Sequence, residues 1–332
     1  MKVLIVKKKD SCWPFVEEQV NALQSQSVMC DVSMSDVCSK DESLKFVWHL
    51  IEGKGLMAYV KDALRLMHTI RKEKPDVIHA HYGLSGYYVC LVVRLMGLGK
   101  KLPVVVTYHG SDINDKRVRK ISQSAIRMAA YNIFVSPKMK EMVEIGKNSA
   151  VIPCGIDWAD WPEMSKEEAR VAMGLNPDKK YVLFSSDFQT EVKNPELALR
   201  AIENCRLEIG DLALIELKGY TRAEVNMLMH AVDVCLMTSR TEGSPQFIKE
   251  AMACGCPIVT TRVGDTDYVI GNTDGCYFAD DNAEDCAKQL QKALKFAEEH
   301  NRTNGRKRIQ DLGYSNDVIA QNIIKLYNLS LT

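Results

Sequence analysis

Short apolar, β-branched segments alternate with longer helical patterns along most of the chain, and the series occurs twice. The first series is KVLIV (2–6), DVIHAH (76–81), PVVVTY (103–108), YNIFVS (131–136) and AVIPCG (150–155). The second is YVLFSS (181–186), LALIEL (212–217), DVCLMTS (233–239) and PIVTT (257–261). Strands that alternate with helices form parallel sheets covered by helices. The sequence therefore predicts an α/β protein of two doubly wound, Rossmann-like units.

The segment between the two series separates the predicted domains. Residues 154–180 contain Gly155, Pro162 and Pro177 without a strand pattern, so we place a linker near 155–165. We expect one domain at 1–158, a second at 159–312, and a closing helix within 313–332, where apolar residues recur at helical spacing. Ligands of such sheets bind at the carboxyl ends of the strands, so we expect the site in a cleft between the domains.

Composition limits where such a protein works. No apolar run approaches the roughly 18 residues that a membrane span needs, and the apolar segment after Met1 is too short for a signal peptide. Eleven cysteines without a disulfide framework suit a reducing compartment. We therefore expect a cytoplasmic protein without disulfides.

Charge is distributed unevenly although the chain has no net charge. Residues 1–160 contain 23 basic and 17 acidic residues, a net +6, and the remainder contains 20 and 26, a net −6. A basic half can meet a membrane surface, nucleic acid or an acidic substrate, or can be ordinary solvated charge. The segment NDKRVRKISQSAIRMAAYN, which includes Arg117 and Lys120, predicts an amphipathic helix. It either rests on a membrane surface or packs on its own sheet.

The stretch SRTEGSPQFIKEAMACGCPIVTTRVGD (239–265) places one glutamate before a helix and another inside it. Ser244 and Pro245 are a helix start signal, with the serine as N-cap and the proline at the first helical position. Glu242 then lies in the loop and Glu250 about one and a half turns into the helix. A helix N-terminus suits a diphosphate, and a nearby carboxylate can accept hydrogen bonds from a ribose diol.

This stretch resembles the signature of retaining glycosyltransferases with the two-domain GT-B fold, most closely family 4 (group 1), in which seven residues separate two glutamates. Four other segments resemble the family in the same order: HAHYGLSGYY with VVTYHGSD, VIPCGID, EVKNPELALRAI and the closing helix. The resemblance covers most of the chain. It implies a nucleotide-sugar donor, linked to UDP or GDP, and a glycan or lipid-linked acceptor.

The resemblance also implies roles for individual residues of the second domain. Glu250 would bind the ribose hydroxyls, Glu242 the donor sugar hydroxyls, and Lys193 the departing diphosphate. The segment Gly243, Ser244, Pro245 and Gln246 would surround the sugar and phosphates. The family usually has an arginine shortly before the lysine, where this chain has Ser186 and Asp187. Arg240 is the candidate substitute.

In the first domain, the resemblance places His109 beside the donor sugar, with Gly110 allowing close approach of the backbone. The family often has adjacent glycines after the first strand, whereas this chain has three lysines. Lys7, Lys8 and Lys9 either contact an anionic acceptor, such as a lipid-linked diphosphate sugar, or are solvated. We place the acceptor or membrane side at Lys8, Lys9, Arg117 and Lys120.

Three short motifs could suggest metal or redox chemistry. His79 and His81 are two ligands without a third, so we expect packing and cleft lining. Asp265 and Asp267 follow a strand at the far side of the signature, where the family has a donor-domain loop. The pair Cys254 and Cys256 spans a helix end and a strand start. We expect no metal and no cofactor.

These observations favour a retaining glycosyltransferase of surface polysaccharide biosynthesis. We expect it to need no metal and to bind no nucleic acid. Any contact with the inner face of the membrane would be made by its basic domain. Two alternatives stay open. A sugar-nucleotide epimerase has this architecture but needs no acceptor groove. A nucleotide-sugar or glycan-binding protein would keep the fold without turnover, consistent with the altered first loop and the absent arginine.

Overall fold

A computed structural model describes residues 1–9, 14–30, 44–53, 55–144 and 148–331. The backbone separates into two compact units, Met1–Gly155 with Asn316–Thr332, and Ile156–Ser315. Each unit has one parallel sheet flanked by helices. The α/β class and the two doubly wound units predicted from the sequence are confirmed.

The elements of the first unit, in chain order, are β1 (Lys2–Lys8), α1 (Pro14–Cys30), β2 (Lys45–Ile51), α2 (Gly55–Glu73), β3 (Val77–His81), α3 (Gly83–Leu95), β4 (Val104–Tyr108), α4 (Ser111–Asn114), α5 (Lys116–Met128), β5 (Tyr131–Phe134), α6 (Pro137–Glu141) and β6 (Ser149–Val151). The sheet order is β2-β1-β3-β4-β5-β6. Val3 pairs with Phe46 on one side and Val77 on the other, which makes β1 a central strand. Its residues 3–6 are fully buried, as a strand covered on both faces requires.

The second unit contains α7 (Lys166–Met173), β7 (Lys180–Phe184), a 3₁₀ turn (Glu191–Lys193), α8 (Pro195–Ile209), β8 (Leu212–Glu216), α9 (Arg222–Ala231), β9 (Val234–Met237), α10 (Gln246–Ala253), β10 (Ile258–Thr261), α11 (Thr266–Ile270), β11 (Cys276–Ala279), α12 (Ala283–His300) and α13 (Gly305–Asp311). The sheet order is β11-β10-β9-β7-β8. Apolar clusters cover both faces of the sheet. The carboxyl end of β9 leads directly into the two-glutamate segment.

The last helix, α14 (Asn316–Leu331), belongs to the first unit. It packs beside α1, where Gln26 Nε2 donates to Asp317 Oδ1 at 2.8 Å. Its buried Tyr327 reaches β3, and the Tyr327 hydroxyl lies 2.6 Å from His79 Nδ1. The C-terminal segment therefore forms part of the hydrophobic core around β1, β3 and β4.

Some elements differ from the sequence prediction. The strands β2 and β11 were not predicted, and both lie at the edge of their sheet. Edge strands are covered less completely, so their apolar pattern is weaker: Lys45 is exposed and the apolar Phe46 and Val47 are only half-buried. The pattern after the first strand predicts a helix from Pro14 to Gln24; the helix begins at Pro14 and extends to Cys30. Residues 10–13 of the lysine-rich loop lie outside the described residues.

Candidate functional site

The loop after β9 brings together two residues that are 49 positions apart in the chain. Lys193 Nζ donates to Glu242 Oε1 at 2.6 Å, and both side chains are partly buried. Lys193 ends the 3₁₀ turn, and Thr238 Oγ1 donates to the carbonyls of Lys193 and Asn194, both at 2.9 Å. The strand end thus holds the turn, and the two proposed catalytic groups of this unit are adjacent.

Arg240, in the loop after β9, contacts the same turn. Its backbone amide donates to the Val192 carbonyl at 2.9 Å, and its guanidinium donates to the Glu191 carbonyl at 3.3 Å and to Asn194 Oδ1 at 3.2 Å. The side chain is exposed, so it is near Lys193 without being buried. In this arrangement, Arg240 stabilises the turn that carries Lys193. Its assignment as a second phosphate ligand stays a prediction.

The helix start differs from the expectation. Pro245, not Ser244, is the N-cap of α10, and no side chain caps the helix. Ser244 Oγ instead donates to Asp265 Oδ2 at 2.7 Å, which orients the side chain towards this carboxylate. Asp265 is buried, and burial raises the pKa of its carboxyl, opposed by Lys249 and by the Ser244 hydrogen bond. The N-cap prediction was therefore wrong.

The Ser244 contact is part of a close approach between two loops. Gly264 has φ +58°, and a Cβ there would lie 2.7 Å from the Gly243 carbonyl oxygen. A larger residue would strain the backbone and push away the loop that contains Glu242. Residues 264–265 therefore fix the position of segment 242–244. Gln246, which follows Pro245, is the first residue of α10.

Glu250 is buried rather than solvent-facing. Arg222 Nη1 donates to its Oε1 at 2.7 Å, and the Arg222 guanidinium lies 5.0 Å from the centre of the Trp161 ring. Arg222 is the first residue of α9, whose N-terminus has a capping box formed by Thr221 and Glu224. The sequence reasoning missed Arg222. The capping-box pattern locates the helix start, but nothing local identifies its partner 28 residues away.

The segment at Ser186 and Asp187, where the family usually has an arginine, carries negative charge. Asp187 Oδ2 lies 2.7 Å from Lys218 Nζ, and the Phe188 amide donates to Glu216 Oε1 at 2.8 Å. Lys218 follows β8, so the cation that pairs with Asp187 comes from the end of a different strand. This chain therefore has an acidic side chain at the position where the family usually has an arginine.

The strand ends of the first unit hold a cluster of histidines. His109 follows β4, and its Nε2 lies 3.1 Å from His81 Nδ1 at the end of β3. The ring of His109 is also 4.7 Å from the Tyr82 ring. His79 is satisfied by the Tyr327 hydroxyl at 2.6 Å and the Thr107 hydroxyl at 2.7 Å. These contacts agree with the packing expected for His79.

Burial keeps His79 and His81 neutral. It lowers the pKa of His79 to about 3 and that of His81 well below its usual value, and neighbouring His79 and His109 lower the latter further. The Nε2 atom of His81 is buried and has no hydrogen-bond partner among the described residues. The His81 ring therefore offers an uncharged hydrogen-bonding group near His109.

Asp112 is a buried carboxylate that the sequence reasoning missed. It accepts hydrogen bonds from the amides of Gly83 at 3.1 Å, His109 at 3.1 Å and Gly110 at 2.9 Å. Burial raises its pKa to about 6, although the backbone hydrogen bonds act in the opposite direction. Gly110 has φ +145°, a conformation that favours glycine. Asp112 thus fixes the backbone at His109.

A cavity of about 300 Å³ lies beside this cluster within the first unit. Its walls combine polar and apolar side chains, namely Lys8, Tyr59, His81, Tyr82, Leu84, Ser85, Ser111, Asp112, Asp115 and Val118. Lys8 is the single cation among these residues. Lys9 and Lys7 are not in the lining: they pair with Glu52 at 2.9 Å and Glu17 at 2.7 Å. The three lysines therefore have different surroundings.

The α5 helix packs on its own domain. Its buried residues are Ser122, Ala125 and Ile126, and a Cβ at Gly83 of α3 would lie 1.9 Å from Ser122 Oγ, so the two backbones are very close. Arg117 and Lys120 are exposed on the opposite side. Of the two alternatives for this helix, the structure favours packing within the protein, because its apolar face is already covered.

The described residues contain no group of three His, Cys, Asp or Glu side chains able to hold a metal ion. Asp265 is bound to Ser244, and Asp267 to Arg262. Cys254 and Cys256 are buried free thiols. No helix in the ranges that the structure covers is long and apolar enough to cross a membrane.

Two doubly wound units with these strand-end clusters define a GT-B glycosyltransferase fold. Sequence models support the same class: Glycosyltransferase Family 4 matches residues 41–159 and Glycosyl transferases group 1 matches residues 193–295. The chain belongs to these family 4-like, group 1 glycosyltransferases.

Among curated relatives, the chain is 29% identical over 220 residues to the teichuronic acid biosynthesis glycosyltransferase TuaC of Bacillus subtilis, covering 59% of this chain and 56% of TuaC. It is 25% identical over 281 residues to N-acetyl-alpha-D-glucosaminyl L-malate synthase of Bacillus anthracis, covering 74% and 72%. The match therefore spans little more than half of TuaC.

Solved structures show the same fold at low identity. Sucrose-phosphate synthase from Thermosynechococcus elongatus superposes with a TM-score of 0.77 at 17% identity, covering 99% of this chain and 98% of the other. Anabaena HepE in complex with UDP superposes at 0.71 and 13% identity, covering 98% and 99%. At these identities the likeness establishes the fold alone.

Proposed function

We propose that this chain is a retaining glycosyltransferase that moves a sugar from a UDP- or GDP-linked donor to a glycan or lipid-linked acceptor in surface polysaccharide biosynthesis. The observation that carries the proposal is the 2.6 Å contact between Lys193 and Glu242 beside the helix that contains buried Glu250. A cation and a helix N-terminus are suited to a leaving diphosphate, and the two carboxylates are suited to hydroxyls of the sugar and of the ribose.

The proposed donor chemistry follows from these groups. Glu250 accepts hydrogen bonds from the ribose hydroxyls, and the backbone of Gly243, Ser244, Pro245 and Gln246 lies along the sugar and phosphates. Glu242 orients the sugar by its hydroxyls. Lys193 stabilises the charge that develops on the diphosphate as the glycosidic bond breaks, and Arg240 keeps its turn in place. Donor binding replaces the Lys193–Glu242 pairing by contacts to the substrate.

The first unit would supply the remaining groups. His109 and Gly110 face the donor sugar, and the cavity lined by Lys8 receives part of the acceptor. Retention is expected from the resemblance to the retaining glycosyltransferases of family 4, and none of the described side chains is an evident nucleophile. The acceptor would attack on the face from which the diphosphate leaves, and the acceptor proton would pass to the leaving phosphate. Metal is not needed, because basic side chains and amides balance the diphosphate charge.

The relatives' names support this class of reaction. TuaC is named for teichuronic acid biosynthesis and a second relative for joining a glucosaminyl group to L-malate. HepE is described in complex with UDP and with UDP-glucose. We extend a nucleotide-sugar donor from these names to this chain. From its composition we propose a cytoplasmic location, with any membrane contact at the inner face.

The proposal is tested by incubating the protein with UDP- and GDP-sugars in EDTA, with and without a panel of glycan acceptors, while nucleoside diphosphate release is measured. Acceptor-dependent release, with a product whose anomeric configuration matches the donor by NMR, is expected. Donor conversion without any acceptor would identify an epimerase or hydrolase. Tight donor binding without conversion under any condition would identify a binding protein.

A further inference from the structure

The outward side of α2 carries a row of exposed apolar side chains. Leu56, Met57, Val60 and Leu64 are 67%, 60%, 62% and 78% exposed. At about 100° per residue they occupy a sector of roughly 100° on the helix. Isolated exposed leucines are ordinary, but four on adjoining turns form a continuous apolar strip.

This strip does not hold the helix on its domain. Ala58, Tyr59, Leu66 and Ile70 occupy the opposite side of α2 and are buried in the core of the first unit. The buried Asp62 adds hydrogen bonds with His49 Nε2 at 2.7 Å and the Tyr88 hydroxyl at 2.9 Å. The buried side of α2 therefore holds the helix on its domain, and the exposed apolar strip is not part of that core.

The exposed residues next to the apolar strip are basic. They are Lys61, Arg65, His68, Arg71 and Lys72. Two of these residues already have an acidic partner on α2: Arg65 pairs with the buried Asp62 at 2.5 Å, and Lys72 Nζ lies 3.9 Å from the partly buried Glu73. Lys61 and Arg71 form no ion pair among the described residues, so the charge available to a lipid surface comes mainly from these two. Apolar side chains beside cations, without an exposed carboxylate on the helix, are the pattern of a helix that lies on an anionic lipid surface.

We propose that the outer side of α2 is the surface by which this protein docks on an anionic membrane. The leucines, the methionine and the valine enter the boundary between headgroups and acyl chains, and the basic residues remain among the headgroup phosphates. The α5 helix is a poorer candidate because its apolar side is covered by α3. This surface is separate from the proposed donor groups and does not depend on them.

The test is co-sedimentation of the full-length protein with phosphatidylcholine vesicles, with and without phosphatidylglycerol. We expect binding to the anionic vesicles that weakens with added salt. Leu56→Gln combined with Leu64→Gln should lower the partition coefficient about tenfold or more, because both apolar side chains leave the bilayer boundary. The control is Leu207→Gln, since Leu207 is 86% exposed on α8 of the other unit and should have no effect.

A second pair of variants separates the two basic helices. Lys61→Glu with Arg71→Glu on α2 should lower binding to anionic vesicles about tenfold or more. Arg117→Glu with Lys120→Glu on α5 reverses the same number of charges and should have a much smaller effect. Thermal melts check that all variants are folded, and nucleotide binding by the α2 variants should be unchanged, which keeps this test separate from that of the proposed function.

Three results would overturn the proposal. Wild-type protein could fail to bind anionic vesicles. The control or the α5 variants could weaken binding as much as the α2 variants do. Sedimentation velocity could show that the wild type is a dimer and that the double glutamine variant is a monomer, in which case the apolar strip is an interface between two copies of the chain.

Discussion

The strand-end clusters of the two units use charge in opposite ways. In the second unit, Lys193 contacts Glu242 and Arg222 contacts Glu250, so ionised partners meet at partly buried positions. In the first unit, His79 and His81 are buried and neutral, and Asp112 is surrounded by backbone amides. Ion pairs can exchange partners with a charged ligand, whereas neutral buried groups fix a shape. In the proposed reaction, the groups of the second unit would therefore respond to a diphosphate, and the buried groups of the first unit would keep a fixed arrangement.

The largest effect should come from Lys193→Ala. Removing a cation that stabilises the leaving diphosphate should lower kcat about a hundredfold to a thousandfold. Affinity for the nucleoside diphosphate should change much less, as measured by calorimetry. Lys179→Ala is the matched control. Lys179 Nζ lies 2.9 Å from Asp211 Oδ1, and this ion pair is not part of the loop that contains Glu242. Equal loss of kcat in both variants would disprove a specific role for Lys193.

Glu250→Ala should weaken nucleotide binding by roughly 1.5–3 kcal/mol, as expected when a charged hydrogen-bond acceptor is lost. Glu242→Ala should instead reduce turnover more than nucleoside diphosphate binding. Calorimetry and initial rates on both variants separate the two roles. Unchanged nucleotide affinity in a folded Glu250→Ala protein would exclude the assignment of Glu250 to the ribose. Equal loss of nucleotide binding in the two variants would show that Glu250 and Glu242 do not have separate roles.

The neutral histidine of the first unit predicts how stability depends on pH. The pKa of His79 is about 3 in the folded protein, below the value of about 6.5 expected when unfolded. The unfolded chain therefore binds more protons below pH 6.5, and stability falls as the pH falls from there towards 3. Between pH 7 and 5 this should cost about 2 kcal/mol.

Chemical denaturation of wild-type protein and His79→Gln at both pH values measures this cost. Glutamine offers a donor and an acceptor for the Tyr327 and Thr107 hydroxyls but does not titrate, so its stability should depend less on pH. Identical pH dependence in the two proteins would show that His79 is not the titrating group. Any decrease in stability that remains in His79→Gln as the pH is lowered comes from other titrating groups.

The smallest effect should follow from Ser244→Ala, which removes the 2.7 Å hydrogen bond to Asp265. We expect a loss of about 1.5 kcal/mol in the free energy of unfolding, because the buried carboxylate loses a partner. A lower kcat should accompany it if the bond positions the loop of Glu242. Ser124→Ala on α5 is the control, since its hydroxyl bonds only to its own helix at 3.4 Å. Equal losses in the free energy of unfolding for Ser244→Ala and Ser124→Ala would contradict a specific stabilising role of the Ser244–Asp265 hydrogen bond.

The sequence predicted the fold because strand composition and helix periodicity are local properties. Central strands such as β1 are apolar throughout, and their pattern is unambiguous. The edge strands β2 and β11 were missed, whereas the edge strands β6 and β8 were predicted, so position at an edge does not by itself hide a strand pattern. The linker region was predicted from its prolines and glycine, which interrupt the strand pattern in any tertiary context.

The candidate site was predicted less completely, because partner choice depends on tertiary structure. The resemblance located Glu242, Glu250 and Lys193, but nothing local predicted that Arg222 would contact Glu250. Ser244 was expected to cap α10 by a rule that holds for an isolated helix. In the folded protein, the Ser244 hydroxyl donates to Asp265, and Pro245 is the N-cap residue. Asp112 was missed because its partners are backbone amides, which carry no sequence signal.

The most direct measurement is a thermal-shift and calorimetric titration of the wild-type protein and Glu250→Ala with UDP, GDP and their sugars in EDTA. A ligand that binds only the folded state raises apparent stability. We predict a clear shift with one of the two bases for the wild type and a much smaller one for the variant. No binding of any nucleotide by folded wild-type protein, or equal binding by the variant, would contradict a donor site at Glu250.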